Sequence, residues 1–384
     1  MTGQRALTHY ALDETQTIYD RVGENTGNMA FITAICDSID ADVSLAGWDS
    51  SPKILSAVDV VVFPCANQFA AHTDLGYMGD LLLEAGRPVV AIGLGAQASD
   101  RSGDAQPTSG TVHWLQVIQK LRSGSAPNIL VRGEYTMGQL AQHNILSTEV
   151  IGCPSLFLSR RTDLGASVAA KVTIGEPARI ATIAGNSSWT HLAHVDQLMV
   201  SLAASSVQGL PWVLQEEMPL IELARGREIS VATLKRLTDH FAPKLAPEIF
   251  AQWVRSNAAV FFDIESWMEH MQRFDACVGP RFHGAMLAMQ AGTIGAVIAH
   301  DSRTSELCET TGLPSVAEDE IRRRGAGVVW ETLASFSGQA FDVRRRELAA
   351  TYCSLLEQNG LKVTGVLKQL TLDDHGSVEV GTQS

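Results

Sequence analysis

The sequence lacks a long apolar run, a paired-cysteine motif and any excess of positive charge. Its longest apolar passage, Ala285 to Ala299, is broken by two glycines and is shorter than the ~20 residues a membrane helix needs. The N-terminal stretch MTGQRALTHYALDETQ has no apolar core of signal-peptide length, so the expectation is a cytoplasmic protein without a transmembrane segment. Lys and Arg total 29 against 42 Asp and Glu, a formal net charge of −13. That balance argues against a nucleic-acid partner, which needs clustered cations, yet leaves room for a small anion in a local basic pocket. The six cysteines (36, 65, 153, 277, 308 and 353) include no CxxC pair and read as small apolar filler. GLGAQA at 93–98 lacks the third glycine of a dinucleotide fingerprint and reads as a tight turn. His191 and His194 share a helical face without an HExxH pattern or an evident third ligand, so no metal site is expected. Asn186-Ser187-Ser188 matches a glycosylation sequon, which means little without a secretory signal.

What is present is a globular chain of 384 residues, 45% hydrophobic and 18% charged, a length that suits two domains. Apolar, non-alternating strand candidates alternate with helices: VSLAGW, VDVVVFPCA (58–66), RPVVAIGLGAQ (87–97), ILVRG (129–133) and EVIGCPSLFL. A second set follows: RIATIAGN (179–186), PWVLQEE (211–217), AAVFFD (258–263), the strand before Gly279 and IGAVIA. Strands apolar throughout are those of parallel sheets covered on both faces. Residues 160–178 break the rhythm and read as a linker. The expected fold is α/β: two Rossmann-like domains facing a cleft, with mostly parallel sheets. The N-terminal domain spans 1–165 and the C-terminal domain 175–340, with a C-terminal helix and tail at 341–384. Residues 1–26 read as a lead-in, 219–256 as mostly helical, Asp263 as a helix N-cap, and the RRR run at 344–346 as a solvated helix face.

Ligands of such sheets bind beyond the carboxyl ends of the strands, which draws attention to 275–314, DACVGPRFHGAMLAMQAGTIGAVIAHDSRTSELCETTGLP. An apolar strand stops at Gly279-Pro280, Arg281-Phe282-His283 follow, and Gly284 opens an apolar helix. A helix start at a strand tip presents N–H groups and the positive dipole end, which suits an anion. Arg281 adds fixed charge and His283 a group that titrates near neutrality. Arg132 ends the strand ILV and Arg303 follows IGAVIA. Position alone fits either a surface ion pair or a cationic cluster for carboxylate and phosphate. Gly95 would let a ligand approach the backbone.

VGPRFHGAMLAMQAG followed by AHDSRTSELCETTGLP resembles the G-x-R-x-H-G signature region of the polysaccharide pyruvyl transferases. The resemblance extends to ILVRGEYTMGQL, to the Gly/Asn-rich loop 23–28 and to EVIGCPSLFL. It covers most of 23–320, with 275–314 its specific part, and implies a GT-B-like pair of Rossmann-like domains. It further implies transfer of a pyruvyl group from phosphoenolpyruvate to two sugar hydroxyls, giving a cyclic ketal and phosphate. His283 would be the acid–base residue; Arg281, Arg132 and Gly284 would bind the donor, and Asn25, Asn28, Gly95 and Arg303 would supply further donor or acceptor contacts. The partners implied are a small donor and a glycan acceptor, with no cofactor or metal. The chain departs from the family pattern in three places. Asn25-Thr26-Gly27-Asn28 stands where an N-x-G-D sequence is usual, Pro280 replaces a small polar residue, and the Ser302-Arg303 region replaces a lysine. A GT-B glycosyltransferase using a sugar nucleotide, and a non-catalytic relative, are the competing readings.

Overall fold

The computed structural model describes residues 6–7, 9–48, 50–98, 103–207 and 209–372. Its strands form two sheets in which every pairing is parallel. The first holds β1 (Val61–Pro64), β2 (Val89–Leu94), β3 (Ile129–Val131) and β4 (Thr148–Val150), in the order β1-β2-β3-β4. The second holds β5 (Ile180–Ile183), β6 (Trp212–Leu214), β7 (Ala258–Val260), β8 (Ala276–Gly279), β9 (Ile294–Ala299) and β10 (Ser315–Ala317), in the order β10-β9-β8-β5-β6-β7. Helices link successive strands, as parallel pairing requires. Every residue of β2 and β8 is buried, which accounts for their unbroken apolar sequences.

The second sheet, read from β7, follows the 3-2-1-4-5-6 order of a doubly wound fold. The chain direction reverses between β5 and β8. The connections that leave their C-terminal ends therefore run to opposite sides and leave a crevice, and Arg281 and His283 follow directly on β8. Sheet topology alone places the sequence-selected loop where such folds bind ligands.

The helix Asn28–Ser38 joins the two sheets. Its Phe31, Ile32 and Ile35 share one core with Ile92 and Leu130 of the first sheet and Val278 of the second. The lead-in segment is more ordered than its weak pattern suggests. Leu7 N donates to Phe262 O at 2.9 Å, and a helix at Thr15–Arg21 packs against the helix Met218–Ala224. Asp263 caps the helix Ile264–Met271 by accepting from Ser266 N at 2.7 Å, as expected.

Several local expectations are corrected. VSLAGW forms no strand: residues 42–46 are exposed coil with no ladder partner. EVIGCPSLFL is strand only through Val150, because Pro154 opens a 3-10 turn at Pro154–Phe157. The proposed linker contains a helix, Leu164–Ala169, whose first N–H groups at Gly165 and Ala166 donate to Asp342 at 2.6 and 2.9 Å. The RRR run is not wholly solvated. Arg345 is 2% exposed and donates to the carbonyls of Leu156 (2.8 Å), Ser159 and Arg161. Burial pulls its pKa down to about 10.

Candidate active site

Arg281 leaves β8 in extended conformation (φ −118°, ψ 122°) and the helix Phe282–Gln290 starts at the next residue. Its side chain turns back over β5, across the crevice. Nε donates to Ala184 O at 3.1 Å and Nη2 to Gly185 O at 3.3 Å. The guanidinium carbon lies 4.6 Å from the centre of the Trp189 ring, a cation–π contact. Nη1 makes a salt bridge to Glu216, which also accepts from Asn186 Nδ2 at 2.7 Å and Asn25 Nδ2 at 3.3 Å. The charge of Arg281 is thus already matched. Glu216 is a site residue that the sequence reading passed over, although its loop, directly after the buried strand β6, faces the crevice.

His283 is the second residue of that helix and sits beside a different set of groups. Its Nε2 is 3.6 Å from Cys153 Sγ, which in turn is 3.0 Å from Ser155 Oγ. The ring is 5.5 Å from that of Phe31. Burial, then the charges of Arg132 and Arg303, hold its pKa well below the usual histidine value, so the imidazole is neutral at pH 7. Burial also raises the Cys153 thiol. The pair is therefore thiol and neutral imidazole, unlike the thiolate–imidazolium of a nucleophilic cysteine.

Arg132 is 1% exposed. Nε donates to Gly93 O at 2.7 Å and Nη2 to Cys65 O at 3.3 Å. Among the described residues no carboxylate forms a salt bridge with it. Glu306 influences its charge, but both Glu306 oxygens already accept from Thr136, at 2.6 and 2.7 Å. Burial lowers the pKa of this arginine. Arg303 is held loosely by Asp301 at 3.5 Å, and its buried Nε has no hydrogen-bond partner. Arg132 and Arg303 interact electrostatically with each other and with His283, so the second and first sheets contribute jointly to one cationic cluster.

The remaining expected residues divide by role. A Cβ on Gly284 would lie 2.6 Å from Ile183 Cδ1 and 2.7 Å from Gln215 Nε2, so glycine seats the helix start against β5. On Gly95 it would lie 3.0 Å from Arg132 Cδ, so that glycine makes room for the arginine. Asn25 Oδ1 accepts from Gly27 N at 2.8 Å, and Gly27 lies against Gln215 and His283. Gln215 Nε2 and Thr26 Oγ1 are buried there without partners. Asn28 does not join them. Its Nδ2 donates to the carbonyls of Val22 (3.0 Å) and Gly23 (3.1 Å) and fixes the turn before its helix.

The model of one family, polysaccharide pyruvyl transferase, matches residues 11–302, about three quarters of the chain. The chain belongs to the polysaccharide pyruvyl transferase family. Curated proteins include no match to it. The match covers Asn25, Arg132, Cys153, Glu216, Arg281 and His283, and ends one residue before Arg303.

Other features lie outside this constellation. His194 Nε2 lies 3.2 Å from a Glu318 carboxylate oxygen, and among the described residues no group of three or more His, Cys, Asp or Glu could hold a metal ion. No described helix is long and apolar enough to cross a membrane. A cavity of about 390 Å³ lies along β1 and the C-terminal half of the helix Asn28–Ser38, lined by Ile32, Ile35, Ile39, Leu55 and Val62 among others. None of the arginines or His283 lines it.

Proposed function

We propose that this protein transfers a pyruvyl group from phosphoenolpyruvate to two hydroxyls of a sugar in a polysaccharide or glycan precursor, forming a ketal and releasing phosphate. The observation that carries the reading is Arg132: buried, without a carboxylate partner among the described residues, and coupled to Arg303 and His283. A buried charge is costly unless paired, so this cluster is built to be completed by an anion. Phosphoenolpyruvate offers a phosphate and a carboxylate, and arginine forks match both. Arg132 and Arg303 would grip one of these groups, with the helix start at Phe282–Gly284 adding N–H donors. Arg281 would hold the other.

The chemistry follows from the donor. A proton delivered to the methylene carbon turns it into a methyl group and leaves the adjacent carbon oxocarbenium-like. One sugar hydroxyl bonds to that carbon and gives up its proton. The second hydroxyl then takes the place of the phosphate, whose bond to the carbon breaks. Of the two hydroxyl protons, one balances the methyl group and the other leaves with phosphate. His283 is the proton carrier: its imidazole is neutral in the free protein, and the negative charges of a donor seated on the arginines would favour its protonation, so that it can accept one proton and pass one on. The donor is itself activated, so the reading calls for neither nucleotide nor metal. The product would belong to an exported or cell-envelope polysaccharide assembled from the cytoplasm, where cysteines that form no disulfide among the described residues fit a reducing environment.

The test is phosphate release from phosphoenolpyruvate with galactosyl, mannosyl and N-acetylmannosaminyl acceptors, run beside a panel of sugar nucleotides. Acceptor-dependent phosphate release supports the reading. Turnover of a sugar nucleotide with phosphoenolpyruvate inert would replace it with glycosyl transfer.

A further inference from the structure

Glu216 has a place in this site that its surroundings make specific. Among the described residues it is the one carboxylate bonded to Arg281, and of that guanidinium's partners it is the most exposed to the crevice. Arg281 is 7% exposed in its side chain, whereas Glu216 is 25% exposed. The other two partners, the carbonyls of Ala184 and Gly185, lie beneath the arginine on the β5 tip, and Trp189 covers one face. An anion arriving from the crevice therefore meets the Glu216 carboxylate before it meets Arg281. Two anions on one guanidinium edge repel each other, and a buried arginine gains most from a carboxylate or phosphate that takes both N–H groups of that edge.

The neighbouring acid shows the contrast. Glu217 is 8% exposed and is fixed by Ser187 N (2.8 Å), Ser187 Oγ (2.7 Å) and Arg236. It holds the loop after β5 in place. Glu216 is held instead by the neutral amides of Asn186 and Asn25 in addition to Arg281. These two amides can retain the carboxylate after Arg281 releases it. Asn25 belongs to the loop that packs on His283 through Gly27, so a carboxylate retained there borders the reaction centre. The phenol of Tyr19 is kept protonated by its burial and then by the charge of Glu216.

We propose that Glu216 occupies the donor-anion position on Arg281 until the donor arrives, and that the displaced carboxylate then accepts a hydrogen bond from the incoming sugar hydroxyl. This rests on the phosphoenolpyruvate reading above and deepens it. Donor binding comes first, because it both fills the arginine and frees the acceptor's ligand. Free sugar meets a site whose hydroxyl acceptor is still engaged. Glu216 is thus a specificity element for the order of addition as well as a ligand for the acceptor.

The consequence has a distinctive sign. Removing the charge with Glu216→Gln takes away a competitor, so phosphoenolpyruvate binds about tenfold more tightly by titration calorimetry. The same substitution raises the acceptor KM and lowers turnover. Glu216→Asp keeps the competing charge and leaves donor affinity near that of the parent protein. If Glu216 only positions Arg281, Glu216→Gln weakens donor binding instead, and the proposal is overturned. It is equally overturned if donor affinity rises while acceptor KM and turnover stay unchanged. Circular dichroism and thermal unfolding of each variant establish that the folded protein is being titrated. Phosphoenolpyruvate that binds none of the parent, Glu216→Gln and Glu216→Asp proteins contradicts the donor assignment, whereas binding with the wrong ordering of affinities contradicts the role of Glu216 alone.

Discussion

Donor binding is expected to draw a proton onto His283. In the free protein, burial and the charges of Arg132 and Arg303 hold this imidazole neutral at pH 7. Phosphoenolpyruvate seated on those arginines reverses the local field, since its phosphate brings about two negative charges and its carboxylate one more. One such charge ~6 Å from the ring, at an effective dielectric of about 20, contributes about 2.8 kcal/mol, or about two pKa units. Two or three charges, less the cost of further desolvation, lift the histidine through neutrality. Its pKa is then low when free and higher when bound. Donor affinity is greatest at low pH and falls as pH rises, by about tenfold per pH unit between the two pKa values. Calorimetry at pH 7 in buffers of different ionisation enthalpy should show close to one proton taken up per donor bound. The phosphate ionises near pH 6 on its own, but that contribution recurs in His283→Gln and cancels in the comparison. Equal proton uptake by the parent and by His283→Gln would refute the reasoning.

Other expectations follow from particular contacts. Arg132→Lys replaces a fork by a point charge and loses the bonds to Gly93 and Cys65; donor affinity should drop by about ten- to a hundredfold in the same titration. Gly284→Ala pushes a methyl group into Ile183 and Gln215, and should cost about 1–3 kcal/mol in denaturant unfolding while displacing His283. Asn28→Asp sets a carboxylate against the carbonyls of Val22 and Gly23; it should destabilise the fold by about 1–3 kcal/mol without increasing turnover. His270, His283 and His300 all have lowered pKa values, with burial the largest cause. They bind protons less readily folded than unfolded, so their contribution is full above the unfolded value near 6.5 and is lost as pH falls below it. Thermal melts from pH 7.5 to 5 should show this decline, with a shallower slope in His283→Gln.

The sequence and the structure agree most closely where local chemistry is decisive. Apolar runs such as VVAIGL and ACVG announce strands buried on both faces, and a glycine-proline stop before Arg281-Phe282-His283 announces a strand tip. Topology then adds what no local pattern contains: the chain reversal between β5 and β8 that makes this tip a crevice. Glu216 was illegible because its role depends on Arg281, 65 residues away in sequence, and nothing distinguishes it among 42 acids. Asn28 looked like a lost acid, but its amide is needed as a donor to two carbonyls, a bond an aspartate could not make. Arg345 had a readable signal that the charge run concealed. It falls on the buried stripe Phe341, Arg345, Ala349, Tyr352 and Leu356, whose spacing matches the helical period.

The central claim is that the cluster of Arg132, Arg303 and His283 activates phosphoenolpyruvate for transfer to a sugar. It is tested most directly by following methyl-labelled phosphoenolpyruvate with an acceptor glycan by carbon NMR, in the parent protein and in His283→Ala of equal denaturant stability. The account predicts a ketal methyl signal on the glycan, growing in step with phosphate, and lost in the variant. A parent protein that forms no ketal with any acceptor of the panel, or a His283→Ala protein that forms it at the parent rate, would contradict it.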